Sequence, residues 1–148
     1  PARFSDATEW KVPEPLDLPD IPESWTLVAL NDLVRRIQYG TSKRADGDAR
    51  TGVPVLRMTN IQEGRIDLSS LKHVRSLTGL ETFLLRPGDI LFNRTNSPGL
   101  VGKAAVFDQD VEAVFASYLV RLTCDAQRVS SRFVCAWINS PWGRQWAR

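Results

Sequence analysis

Apolar residues recur at three- and four-residue spacing only after Ser130, where Phe133, Val134, Trp137, Ile138 and Trp142 mark one face of a helix, interrupted or kinked near Pro141. Upstream of that point the apolar character comes in short runs broken by Gly, Pro, Asn and Asp. Trp25–Leu30, Val53–Met58, Ile90–Asn93, Gly102–Phe107 and Ala113–Leu122 read as strands. Strands followed by a terminal helix predict an α+β fold: one domain, a twisted and mostly antiparallel sheet, short helices and a C-terminal helix. Asn31 is placed to cap a short helix over 32–37, with Asp32 at the positive end of its dipole and Gly40 ending it. Pro54 puts the Val53–Met58 strand at an edge, or starts it after the proline. Gln62–Arg65 reads as a turn and 77–85 as one or two helical turns. Arg86-Pro-Gly-Asp89 fits a tight turn with Pro second and Gly third. The runs 102–107 and 113–122, separated by Asp108-Gln-Asp110, are expected to pair as a hairpin.

The first two dozen residues hold five of the nine prolines and are expected to form an extended arm or linker over 1–24, leaving 25–148 as the folded unit. With 148 residues, 43% hydrophobic and 24% charged, the chain matches one ordinary globular domain and not a disordered or fibrous one. The longest uncharged apolar-rich stretch, 113–120, is far short of the roughly 20 residues a membrane helix needs, and the N-terminus is polar and acidic. A cytoplasmic protein without membrane contact is expected. Cys124 and Cys135 are too few for a disulfide framework and are expected to be reduced and buried. His73 is the single histidine, so no metal set is expected.

Several fragments imitate catalytic motifs and fail on chemistry. Ser97-Pro-Gly-Leu-Val-Gly-Lys-Ala104 has Ser where a phosphate-binding loop begins with Gly, and Ala where such a loop needs a magnesium-binding hydroxyl. Asn139-Ser-Pro-Trp142 lacks the second proline of an amino-methyltransferase signature. Pro19-Asp20 and Glu9-Trp-Lys11 stand in the reverse of the nuclease order. His73 has no nucleophile elbow. No catalytic residue and no cofactor are expected.

Charge is unevenly spread. Residues 1–32 carry two basic and seven acidic side chains, residues 33–103 twelve and six, and residues 104–148 five and four. Fifteen of the nineteen cations are Arg, whose planar fork suits phosphate and the edge of guanine. Within the basic middle, three apolar segments run out into polar clusters. These are Gln38, Tyr39, Thr41, Ser42, Lys43 and Arg44; then Arg57, Thr59, Asn60 and Gln62; then Arg94, Thr95 and Asn96. With Lys103 from the same stretch they are the candidate nucleic-acid-binding residues. Short polar residues also end strands by bonding nearby backbone, which is the structural alternative for each cluster. Lys43 and Arg44 are assigned to phosphates, and Arg57 and Arg94 to bases. The competing role for either of those two arginines is a buried pair with Asp67 or Asp89.

An ordered set of elements then resembles the target-recognition domain of the specificity subunit of Type I restriction-modification systems. The set comprises Pro-Glu-Ser-Trp25, Leu30-Asn-Asp-Leu33, Ile37-Gln-Tyr-Gly40-Thr41, Gly52-Val-Pro-Val-Leu-Arg57, Asn60-Ile61 and Gly64-Arg-Ile-Asp67. It continues with Arg86-Pro-Gly-Asp89-Ile-Leu, Asn93-Arg-Thr95, Val101-Gly-Lys103-Ala, Ala116-Ser-Tyr-Leu119 and Ile138-Asn-Ser140. The resemblance implies sequence-specific binding to one half of a bipartite double-stranded DNA target. It also implies that methyltransferase (modification) and restriction subunits carry the chemistry. A full subunit would hold two such domains joined by long helices, whereas this chain stops at Arg148, so a piece truncated before the spacer helix is expected. Two other readings stay open: the fused recognition domain of a single-chain restriction-methylation enzyme, and a small protein- or glycan-binding module using Trp137, Trp142 and Trp146.

Overall fold

The computed structural model describes residues 20–45, 51–95, 99 and 101–146. In chain order the elements are α1 (Leu30–Leu33), β1 (Val34–Tyr39), β2 (Val53–Leu56), β3 (Ile61–Gln62), β4 (Arg65–Ile66) and β5 (Lys72–Val74). They continue with β6 (Ile90–Asn93), β7 (Ala104–Val106), β8 (Val114–Phe115), β9 (Leu119–Cys124), α2 (Ser131–Asn139) and α3 (Pro141–Trp146). The strands form a four-stranded sheet in the order β1-β9-β6-β7, a three-stranded sheet in the order β5-β2-β8, and the small β3-β4 ribbon. All pairings are antiparallel except β2 with β8. The α+β architecture expected from the period change is the one observed. Most of the expected arm, residues 1–19, lies outside the described residues.

Several local expectations hold for the reasons that produced them. Asp89 N–H donates to the Arg86 carbonyl at 3.0 Å with Gly88 at φ 93°, the turn that a Pro-Gly pair dictates. Glu63 and Gly64 both take positive φ between β3 and β4, closing a two-residue hairpin. A 3-10 turn occupies Glu81–Phe83, and α2 and α3 divide at Ser140, whose hydroxyl accepts from Gly143 N–H at 3.2 Å. Cys124 and Cys135 are buried free thiols.

Other expectations are corrected. Trp25–Leu30 is not a strand: Trp25 and Leu27 are 63% and 66% exposed, and no strand among the described residues pairs with them. Strand propensity expresses itself only where a partner ladder exists. The helix placed over 32–37 shrinks to α1, and its second half becomes edge strand β1, where Arg36 to Tyr39 pair with Thr123 to Val120. Strand β2 is central rather than peripheral. It keeps Pro54 because its ladder with β8 begins one residue later, at Val55. The runs 102–107 and 113–122 do not pair with each other. β6 lies between β7 and β9, and β8 joins the other sheet.

One core cluster, including Leu56, Leu91, Phe107, Phe115 and Leu119, joins the two larger sheets, and a second packs α2 onto the four-stranded sheet through Val134, Cys135 and Ile138. Trp137 and Trp142 are not core residues, being 38% and 39% exposed. Asn139 clasps α2 to β7. Its amide donates to the Ala104 carbonyl at 2.8 Å, and its carbonyl accepts from Ala104 N–H at 3.0 Å. Burial pushes the Cys135 thiol from 9.0 up to about 11. The native state therefore holds a proton that the unfolded chain releases first, so stability falls as pH rises from about 9 to about 11. Melting temperatures across that window should drop more steeply for the native chain than for Cys135→Ala.

Candidate nucleic-acid interface

The three polar clusters, far apart in sequence, run out at the same end of the fold, around residues 115–120. Strand β1 ends where Tyr39 faces Val120, and the chain continues through Gly40 to Thr41, which bridges Ala116. Strand β2 ends where Leu56 faces Phe115 and accepts the Ala116 N–H at 2.9 Å. Strand β6 ends where Asn93 faces Leu119, and Arg94 N–H donates to the Tyr118 carbonyl at 3.3 Å. Gly40 makes this convergence sterically possible, since a Cβ there would lie 2.2 Å from the Ala116 carbonyl oxygen. Thr95 Oγ1 reaches Met58 Sδ at 3.8 Å, tying the second and third clusters together.

The surface at this end carries Tyr39, 60% exposed, with the Arg94 guanidinium stacked over its ring at 4.8 Å. Tyr118, 45% exposed, stands beside them and was missed by the sequence reading. Its only signal there was an aromatic within Ala116-Ser-Tyr-Leu119. Ser42, Lys43 and Arg44 are exposed on the loop after Thr41, with the Lys43 amide held by Thr41 Oγ1 at 3.1 Å. Among the described residues, no acid forms an ion pair with Lys43, Arg44 or Arg94. Thr59 and Gln62 are exposed, with Gln62 Nε2 donating to the Thr59 carbonyl at 2.9 Å. Lys103 is half-buried across from Asn93, whose N–H its carbonyl accepts at 2.8 Å. Asn96 lies outside the described residues.

Three candidates are used internally. Asn60 is 1% exposed. Its amide donates to the carbonyls of Asp67 and Ser70, and its own carbonyl accepts from Arg57 N–H, so no polar atom is left for a base. Thr41 is buried in the bridge to Ala116. Gln38 donates to the Thr82 carbonyl at 3.2 Å and accepts from Arg121 Nη2. Arg57 occupies an intermediate position, donating to the Ser70 carbonyl at 3.2 Å while its buried Nε has no partner among the described residues.

Neither Arg57 nor Arg94 pairs with Asp67 or Asp89. The buried cation beside Asp89 is Arg121, in the middle of β9 and 3% exposed. Its Nη1 donates to the Leu84 carbonyl at 2.7 Å and to Asp89 Oδ2 at 3.4 Å, its Nη2 donates to the Thr82 carbonyl at 3.0 Å, and its guanidinium lies 5.4 Å from the Phe115 ring centre. Desolvation lowers its pKa, and the Asp89 carboxylate offsets part of that.

Strand ends here converge on exposed cations and aromatics. Two curated proteins that resemble the chain share one description. It is 30% identical over 94 residues to a protein of Methanocaldococcus jannaschii named as the MjaX type I restriction enzyme specificity subunit, a match covering 62% of this chain and 22% of that protein. It is 25% identical over 131 residues to the EcoBI type I restriction enzyme specificity subunit of Escherichia coli, covering 85% of this chain and 27% of that one. The chain thus spans about a quarter of the length of these curated relatives. Its fold matches that of the HsdS subunit from Thermoanaerobacter tengcongensis with a TM-score of 0.58 at 15% identity, over 85% of this chain and 30% of that one. A chain from a structure of the assembly and conformational transition of the type I R-M system gives 0.58 at 17% identity, over 84% and 29%. No protein-family model matches. Both curated relatives are named as type I specificity subunits, the family that the ordered motifs of this chain resemble.

Proposed function

We propose that this chain is a target-recognition domain that binds one half of a bipartite duplex DNA site, in the cytoplasm, and directs modification and restriction subunits that carry the chemistry. The observation that bears the most weight is the convergence of three strand ends at residues 115–120, which gathers Tyr39, Arg94 and Tyr118 beside the Ser42–Arg44 loop. Arg94 is the principal base reader. The flat Tyr39 ring under its guanidinium limits the orientations of the fork, a donor set that can pair with O6 and N7 of guanine in the major groove. Thr59, Gln62 and Thr95 lie within or beside that surface and supply hydroxyl and amide contacts. Tyr118 adds a ring able to pack on a thymine methyl or a sugar. Lys43 and Arg44 hold the phosphates, positioning the domain without selecting sequence.

Titration of the isolated chain with duplex DNA at increasing salt tests this. Non-specific affinity of about 10⁻⁴ to 10⁻⁶ M at physiological salt is expected. The double variant Lys43→Ala/Arg44→Ala should weaken all sequences alike and flatten the log K against log salt slope by about 1.8, at roughly 0.9 per phosphate contact. A slope identical to that of the native chain removes this loop from the interface.

A further inference from the structure

A second basic surface lies beside the reading end, and it is not among the three strand-end clusters. A groove of about 960 Å³ runs along β7, walled on one side by the β3-β4 hairpin and on the other by α2 and α3. Its charged lining is Arg65, Lys103, Arg132 and Arg144 against Glu63 and Asp108. Asp108 stands 3.8 Å from Arg132, which pairs off one charge of each sign. The rest of the groove's charged lining is Arg65, Lys103 and Arg144 against Glu63. Arg144, on α3, is half-buried and lines the groove.

The groove is fixed to the reading surface through backbone. The Lys103 carbonyl accepts from Asn93 N–H, and Asn93 directly precedes Arg94. Asn139 holds Ala104, next to Lys103, and the hairpin tip comes so close that a Cβ on Gly64 would lie 3.6 Å from Asn139 Nδ2. Lys103, in the groove's lining, therefore lies beside the end of β6 that leads to Arg94.

Resting on the proposed DNA reading, we infer that this groove binds the phosphodiester backbone of the duplex next to the base-reading contacts, with Arg65, Lys103 and Arg144 as its phosphate ligands. Three cations lining one groove suit a repeating anion better than a single carboxylate. An acidic protein segment is the competing occupant. Continuity with Asn93 and Arg94 favours DNA, because a duplex lying on Arg94 has backbone on either side of the groove it presents.

The test compares the native chain with Arg65→Ala/Lys103→Ala, two residues outside the core, with thermal melts confirming that both are folded. Duplex DNA titrated at several salt concentrations should show the slope flattened by about 1.8 and sequence preference unchanged. Arg144→Gln, measured separately, should flatten it by about 0.9, and a melting temperature near that of the native chain shows that α3 is intact. An unchanged slope in the groove variant, with a flattened slope in Lys43→Ala/Arg44→Ala, overturns the groove assignment and leaves the reading surface standing. Failure of the folded native chain to bind any duplex at low salt overturns both. Native binding to poly-L-glutamate that the groove variant loses, alongside unchanged DNA slopes, assigns the groove to an acidic protein segment instead and overturns the inference.

Discussion

Arg121→Ala is expected to destabilise the domain by about 3–5 kcal/mol, the range for removing one partner of a buried ion pair. For a domain of this size that corresponds to a fall in melting temperature of roughly 6–20 °C. The expectation follows from what the guanidinium connects. It stands on β9, the strand between β1 and β6, and reaches out to the Thr82 and Leu84 carbonyls, to Gln38 on β1, and to Asp89 at the start of β6. Truncation leaves two carbonyls and a carboxylate without the donors that the guanidinium supplies. Asp89 keeps the Arg86 N–H at 2.9 Å and Thr123 Oγ1 at 2.7 Å, so Asp89→Asn should be milder than Arg121→Ala. A chemical denaturation series on the two variants checks the order, and a loss below about 1 kcal/mol for Arg121→Ala would contradict a structural role for the pair.

Arg94→Ala is expected to do the reverse, holding stability while discrimination is lost. Arg94 is exposed, its side chain lies on an exposed tyrosine ring, and no acid pairs with it among the described residues, so its removal uncovers nothing buried. A bidentate arginine–guanine pair is worth about 1–3 kcal/mol against the wrong base, or roughly five- to 150-fold in relative affinity. Tyr39→Phe keeps the ring and should keep most of that ratio. Tyr39→Ala frees the fork and should lose part of it, with overall affinity less changed than preference. These effects differ in kind from the uniform weakening expected at Lys43 and Arg44.

How far the sequence could carry this picture depended on the range of the interactions involved. Features decided within a few residues were legible: the Arg86–Asp89 turn, strand β6, the hairpin tip at Glu63-Gly64 and the split of the terminal helices at Ser140. Features decided by distant partners were not. Nothing local to 102–107 says that β6 will come between it and β9, and nothing local to 25–30 says that those strand formers will find no ladder. The candidate surface divides in the same way. That three strand ends carry Arg, Lys, Thr and Asn was visible, and their meeting at one end of the fold follows from pairing with 115–120. Asn60 has the composition of a base reader, yet the backbone of 67–70 folds over it and takes its amide. Arg121 went unnoticed because a single charge inside an apolar run gives no sign of being the buried one, and Tyr118 because one aromatic at a strand start is ordinary.

The most direct test of the reading surface is selection of bound sequences from a pool of randomised duplexes by the native chain and by Arg94→Ala, with melts of both recorded alongside. The expected result is a guanine preference in the native selection that disappears at one position in the variant while the melting temperature holds. The same enriched sequences from both proteins, or an Arg94→Ala chain that has simply lost its fold, would contradict a base-reading Arg94 at the junction of β1, β6 and β9.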